Sequence, residues 1–327
     1  MRLLKRRTMM KALACMGLFA ATTVSSNALA QGDWPSKPVR IIVAYPAGQS
    51  TDIATRYFAE KLTRALGQSF FVENRPGASG NIGTAAAARS APDGYTLIMG
   101  ANGTHAMNPF LFVNPGFDAE KDFDPIVLTA LIPFAISAAP NTPVNSLAEL
   151  IALARSKPDK VDVAIPSVTG QLVLETLKQH NVPLFGVKFK GSADAMTAAL
   201  GNHVPVLIDT VAATRTQLGK VKPLAVTSQS QLAAMPGVKT AAEQGLNNFT
   251  LTAWNVLMVP KGVPPEIQAR LGAEMKKILD LPETQKALAD LGFERAQPKS
   301  SAELATWIQA ERRNFGQLIQ AAQMKPE

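Results

Sequence analysis

The sequence predicts an α/β fold arranged as two doubly wound lobes. Three observations lead to it. Apolar β-branched runs alternate with helical spacings along most of the chain, which is the pattern of a parallel sheet covered by helices. The roughly 297 residues after an N-terminal leader are too many for one ordinary hydrophobic core, so two domains are expected. The C-terminal helices have few strands of their own to cover, and the simplest packing returns them to the first domain.

Residues 1–30 read as a cleavable secretory signal rather than part of the fold. Arg2, Lys5, Arg6, Arg7 and Lys11 form a basic start. Residues 12–24 are apolar but too short to span a bilayer comfortably, and Ala28-Leu29-Ala30 is a small-x-small cleavage site. Arg6-Arg7 gives a partial twin-arginine pattern, with Met9 in place of the usual Phe. The single cysteine, Cys15, leaves with the leader, which excludes disulfides, thiolate metal sites and a cysteine nucleophile from the rest. The formal charge of +8 falls to about +3 once the leader's five basic residues are removed. That charge is spread. No basic stripe interleaves with aromatics, so no nucleic-acid partner is expected; attraction of small anions is. No later stretch has eighteen uninterrupted apolar residues.

Residues 39–45 are β-branched and bounded by Pro38 and Pro46, a buried strand. Ser50 or Thr51 caps a helix over 53–66 that ends at Gly67. Residues 69–73 are a second strand, 81–89 an alanine-rich helix and 96–100 a third strand. A long apolar run over 126–138 is a strand. Ser146 opens a helix over 147–156, with Glu149 completing a capping box. Strands follow at 161–165, 187–189, 204–208 and 223–227. The helices between them lie at 172–180, 193–200 (capped by Ser192) and 214–218. Residues 252–260 form a last strand carrying Trp254. Helices at 266–279, 282–291 and 301–322 complete the chain. The resulting division is a discontinuous first lobe, 31–132 with 253–327, and an inserted second lobe, 133–252.

The loop Tyr45-Pro46-Ala47-Gly48-Gln49-Ser50-Thr51-Asp52 links a buried strand to a helix. In an open α/β sheet, ligands bind at the carboxyl ends of strands, where a helix N-terminus offers free N–H groups and a positive dipole end to a carboxylate. Gln49, Ser50, Thr51 and Asp52 are therefore candidate ligand residues; an ordinary capped turn is the plain alternative. The turn Asn102-Gly103-Thr104 follows another strand and belongs beside the first loop. His105 fits a capping or surface position better than a ligand contact. In the second lobe, Ser167 and Thr169 lie in a strand-to-helix turn, Lys190 follows a short strand, and Asp209 ends a strand with a carboxylate. Such a carboxylate accepts from a ligand hydroxyl or ammonium, or caps the next helix. The run from Gly77 to Gly83 lacks G-x-G-x-x-G spacing, and neither a phosphate loop nor G-x-S-x-G occurs. No metal pair, cofactor site or nucleophile–base pair is visible, so no enzyme and no cofactor are expected; a secreted hydrolase on an α/β fold is the alternative.

Glu73-Asn74-Arg75-Pro76-Gly77-Ala78-Ser79-Gly80-Asn81-Ile82-Gly83, followed by Pro92-Asp93-Gly94-Tyr95-Thr96-Leu97, resembles the pattern of the substrate-binding proteins of tripartite tricarboxylate transporters, the Bug family. Lys190-Gly191-Ser192, Met235-Pro236-Gly237 and Ala253-Trp254 extend the resemblance over nearly all of the chain beyond the leader. It implies a periplasmic-binding-protein-like (Venus flytrap) fold with hinge strands between the lobes. It further implies a periplasmic, monomeric receptor for a small organic acid, delivering it to membrane permease subunits; a module feeding a sensor is the variant. The family holds one ligand carboxylate with the loop matching 46–52. Here Ala47 and Gln49 replace a proline and a glycine of that loop, and the loop at 166–171 is poorer in glycine than the family's.

Overall fold

The computed structural model describes residues 34–247 and 249–326. The signal-peptide reading of residues 1–30 lies outside them. The described residues from Lys37 onward form one compact unit.

The first strands are β1 (Val39–Val43), β2 (Phe70–Asn74) and β3 (Thr96–Ala101), joined by helices α1 (Ser50–Leu66) and α2 (Asn81–Ala88). β1 pairs in parallel with β2 on one side and β3 on the other. Its residues Ile41, Ile42 and Val43 have no exposed surface, as a central strand covered on both faces requires. α1 stops where expected: Gly67 takes φ 70°, and its N–H closes the last turn on Thr63 O. After β3 a single π-helical turn (Gly103–Met107) leads into the short α3 (Asn108–Leu111).

The chain then enters β4 (Phe123–Ala138), sixteen residues long. Beyond it come α4 (Leu147–Ser156), β5 (Asp162–Ile165), α5 (Val168–Gln179), β6 (Phe185–Lys188), α6 (Ser192–Leu200), β7 (Val206–Thr210), the short α7 (Val211–Thr214) and β8 (Lys222–Val226). β5 pairs in parallel with β6 and β7. The chain returns through β9 (Thr252–Pro260) to α8 (Pro265–Asp280), α9 (Pro282–Asp290) and α10 (Ser301–Ala321).

The parallel expectation holds inside each of these triplets and fails at the two long strands. β9 runs antiparallel to both β3 and β4, and β4 runs antiparallel to β7 and β8. The reason is directional. β4 carries the chain out of the first set of strands and β9 brings it back, so neighbours on the same path must point oppositely. β4 pairs with β9 from Phe123 to Pro133, then with β7 and β8 from Phe134 onward.

Local capping differs from expectation in three places. Ser146 accepts the Glu149 N–H, but the Glu149 carboxylate takes the Asn145 N–H rather than that of Ser146. Ser192 is the first helical residue, not the cap of α6; its hydroxyl turns to Asp209 at 3.0 Å. At α1 the capping position falls on Gln49, whose side chain makes no cap bond. A full capping box does form at α10, between Ser300 and Glu303. α10 packs against the turn at 103–107 and against β4, and Trp307 lies 5.4 Å from Trp254 on β9, ring centre to ring centre. Among the described residues no helix is long and apolar enough to cross a membrane.

Candidate ligand-binding cleft

A cavity of about 1010 Å³ opens at the carboxyl ends of β1, β3, β5, β6 and β7. This is where an α/β sheet offers a crevice, because the loops there diverge toward opposite faces. The first turns of three helices line it. α1 presents Gln49, Ser50 and Thr51, α5 presents Ser167 and Thr169, and α6 presents Lys190 and Ser192. Asn102 and Gly103 reach it from the end of β3, and Asp209 from the end of β7. Nine of the eleven residues singled out in the sequence thus share one cavity wall.

Two do not. Asp52 is turned into the protein, where its carboxylate accepts the Gly48 N–H at 2.9 Å, the Asn74 amide at 2.9 Å and Arg56 Nε at 3.0 Å. Burial pushes this carboxyl up, but the Arg56, Gly48 and Asn74 hydrogen bonds outweigh it and hold its pKa below the ordinary value. Asp52 therefore fixes the loop rather than lining the cleft. Thr104 is buried below the turn, against Ala101 and His105. His105 is neither a cap nor a surface residue. Its ring is fully buried, edge-on to Phe123 at 5.1 Å and tilted against Phe117. Burial, with the Arg312 guanidinium nearby, lowers its pKa to about 3.

The glycines explain how the loops come this close. A Cβ on Gly103 would stand 2.7 Å from Tyr45 Oη, and one on Gly83 would stand 2.5 Å from Arg75 O. Between them, residues 77–80 all take positive φ, including Ala78 at 45° and Ser79 at 53°. Non-glycine residues held there cost about 1–3 kcal/mol each, and such strain concentrates at functional loops. All four line the cavity.

The helix ends differ in chemistry. At α5 Ser167 occupies one N–H, accepting from Gly170 at 3.1 Å. α1 and α6 carry no side-chain cap. Their first N–H groups, which have no intrahelical partner, sit at the positive ends of helix dipoles. Hydroxyls and amides crowd the same wall. Ser50 Oγ donates to Thr210 Oγ1 at 2.5 Å, and Asn102 Nδ2 donates to Thr169 Oγ1 at 3.0 Å. Both bonds join residues far apart in sequence across the cleft. The Gln49 amide lies against the Gly191 backbone, so the replaced glycine of this loop narrows the space.

Asp209 is 1% exposed. Its Oδ1 accepts from Ser192 Oγ at 3.0 Å and from the Thr210 N–H at 2.7 Å. Burial pushes its carboxyl up to about 7 against those hydrogen bonds. Among the described residues no group of three or more His, Cys, Asp or Glu side chains could hold a metal ion.

Sequence reasoning missed three contributors. Asn255 lines the cavity from the middle of β9, and its only signal is a lone amide in an apolar strand. The 77–80 loop carried the signal of its glycines, but they suggest a turn as readily as a wall. Residues 322–325, just past α10, also line the cavity, and nothing in their composition announces it.

Comparison with solved structures matches this architecture. The chain superposes on Rpa4515 of R. palustris with adipate at a TM-score of 0.87, with 31% identity over 90% of this chain and 100% of that one. It superposes on the periplasmic binding protein BugD at 0.84, with 30% identity over 90% and 100% of the two chains. MatC of Rhodopseudomonas palustris, with bound malate, gives 0.79 and 30% identity, covering 88% of this chain and all of that one. These neighbours are two-lobed solute-binding proteins, and the α/β fold described here is of their kind. The family model described as tripartite tricarboxylate transporter family receptor matches residues 54–324, and the chain belongs to that family.

Proposed function

We propose that this chain is a periplasmic solute-binding protein that captures a small organic carboxylate, a dicarboxylate in the first instance. It then hands the acid to the membrane permease subunits of a tripartite tricarboxylate transporter. The observation that carries the reading is the meeting of three helix N-termini on one cavity, two of them without a side-chain cap. Such ends bind carboxylates because unpaired N–H groups and the dipole act together. Bound adipate and malate in two family neighbours support the ligand class.

The lobes run from 31 to 132 with 253 to 327, and from 133 to 252. The exchange of β4's partners at Pro133 and Phe134 supports this boundary. Gln49, Ser50, Thr51, Asn102 and Gly103 serve from the first lobe; Ser167, Thr169, Lys190 and Asp209 serve from the second. A ligand touching both sets favours the closed arrangement by its differential affinity for it. The Ser50–Thr210 and Asn102–Thr169 bonds belong to that arrangement. The leader at 1–30 directs export to the periplasm.

Thermal-shift and calorimetric titration against a panel of organic acids, adipate and malate included, tests the reading. A bound acid at a hundred times Kd stabilises the protein by about 2.7 kcal/mol. It is recovered unchanged, and scattering shows a smaller radius of gyration. A panel without a single binder, or turnover of the acid in proportion to protein concentration, overturns it.

A further inference from the structure

The cavity extends well past the helix N-termini. Along α5 its lining continues beyond the first turn to Gln171 and Glu175. Glu175 lies seven residues after Val168 at the start of the helix, about 10 Å along its axis. On the first lobe the lining includes residues 322–325, past the end of α10. That helix is anchored at Arg312, whose Nε donates to the His105 carbonyl at 3.1 Å and whose Nη1 pairs with Glu120 at 2.8 Å. Ala322 stands ten residues beyond Arg312, about 15 Å further along the axis. The segment therefore borders the cavity far from the 103–107 turn. α10 also touches α5, so its end bridges toward the second lobe.

The segment is held in a defined turn. The Gln323 N–H bonds to Gln320 O at 3.0 Å and the Met324 N–H to Ile319 O at 3.1 Å, the pair of bonds that makes a Schellman motif. The motif needs a left-handed residue, and Gln323 supplies it at φ 53° in the place glycine usually takes. The turn brings Met324, half-buried, into the cavity wall, with Lys325 next to it. Lys325 has no ion-pair partner among the described residues. Glu175, by contrast, already accepts from Gln171 at 2.6 Å and Lys178 at 3.2 Å.

Resting on the reading of this cleft as a carboxylate site, we propose that residues 322–325 form a second subsite of it, which takes the distal end of an acid too long to end at the helix N-termini. Met324 packs on the ligand's chain and Lys325 meets a distal anionic group. An extended chain advances about 1.2 Å per bond, so the carboxyl carbons of succinate stand about 4 Å apart and those of sebacate about 11 Å. With one carboxylate at the helix ends, succinate stops short of the C-terminal segment and sebacate reaches it. A flexible thioether fits apolar chains of varied shape, and an ammonium binds a carboxylate through a charge-assisted hydrogen bond.

Calorimetry with succinate, sebacate and decanoate tests this, decanoate having the ten carbons of sebacate but one carboxylate. The wild-type protein should bind sebacate at least about tenfold tighter than decanoate, the scale of one hydrogen bond to a charged group. Lys325→Glu should abolish that preference and leave decanoate within about twofold. A chain ending at Gln323 should weaken sebacate about tenfold or more and leave succinate within about twofold. Gln323→Pro should do the same with Met324 and Lys325 still present, because proline lacks the N–H and the positive φ that the turn requires. Succinate affinity serves in every variant as the measure of an intact fold and anion end. Unchanged sebacate binding in the shortened chain overturns the proposal, and so does a loss common to succinate and sebacate. A gain in sebacate affinity on shortening also overturns it, since the segment would then only obstruct long acids. Succinate binding without sebacate binding in the wild type removes the second subsite and leaves the carboxylate reading in place. Silence of all three acids and of the wider panel removes both.

Discussion

His105 and Asp209 are both titratable, both fully buried and both left with one unpaired side-chain atom, Nε2 in the first and Oδ2 in the second. They differ in where the residue sits. His105 is boxed by Phe117 and Phe123 under the 103–107 turn and lines no part of the cleft. Asp209 belongs to the wall of a cavity of about 1010 Å³, which two uncapped helix ends also line. Burial moves each toward its neutral form, lowering the histidine to about 3 and raising the carboxyl to about 7. A shifted pKa is thus common to both and distinguishes neither. What separates a structural group from a candidate binding group is whether its residue belongs to a wall around space that a ligand can fill.

The sharpest way to break this comparison is to exchange the readouts. His105→Ala should open a void among the aromatic rings and lower stability by about 2–4 kcal/mol in a denaturant titration. Affinity for the bound acid should stay within about twofold, because a group in a closed pocket touches no ligand. Asp209→Asn, at a residue of the cavity wall, should instead alter acid affinity with little loss of stability. An affinity collapse in His105→Ala with stability preserved would abolish the distinction.

Next in size is the anion end of the cleft. Replacing both Ser50 and Thr51 by alanine should weaken acid binding by about 1–3 kcal/mol, the scale of hydrogen bonds to charged groups. Unchanged affinity by calorimetry in a folded double variant sinks the assignment of α1.

Stability against pH sharpens the comparison further. Unfolded, the histidine binds its proton below its ordinary 6.5, whereas folded it does so only near 3. Its contribution is complete above 6.5 and is lost as pH falls. Folded, the Asp209 carboxyl keeps a proton up to about 7 that the unfolded chain releases near 3.8. Its contribution is complete below 3.8 and is lost as pH rises. Between about 3.8 and 6.5 the two slopes oppose each other. His105→Gln should therefore expose a stability that falls with rising pH, and Asp209→Asn one that falls with falling pH. Each slope should approach 1.4 kcal/mol per pH unit at most, about one proton's worth. Two variants with the same sign of change relative to wild type would contradict the paired burial.

The smallest expected effect concerns helix ends far from the cleft. Ser300→Ala removes the cap of α10 and should lower stability by about 1 kcal/mol, leaving acid affinity unchanged. The contrast is with α1 and α6, whose ends carry no side-chain cap and line the cavity.

Much of the fold was legible because its signals are local. The β-branched runs at 39–45 and 96–100 could only be buried strands, and Gly67 ended α1 where the periodicity did. The loops after strands were legible as site candidates for the same reason, since the carboxyl end of a strand is fixed by chain direction. Orientation was not. Nothing in Ser50-Thr51-Asp52 says that the carboxylate turns inward to Arg56 and Asn74 while the hydroxyls face the cleft. Likewise Thr104 and His105 follow a cleft-lining glycine but fold beneath it, because a π-helical turn redirects them.

By itself the sequence determined the order of elements, the return of the chain through β9 and the loops able to offer N–H groups, because propensity, periodicity and glycine placement act over a few residues. The tertiary structure alone decided the antiparallel course of β4 and β9, the entry of Asn255 and residues 322–325 into the cavity wall, and the isolation of Asp209 Oδ2. These depend on which distant segments meet. Whether a buried atom finds a partner is settled by those meetings and not by its neighbours in the chain.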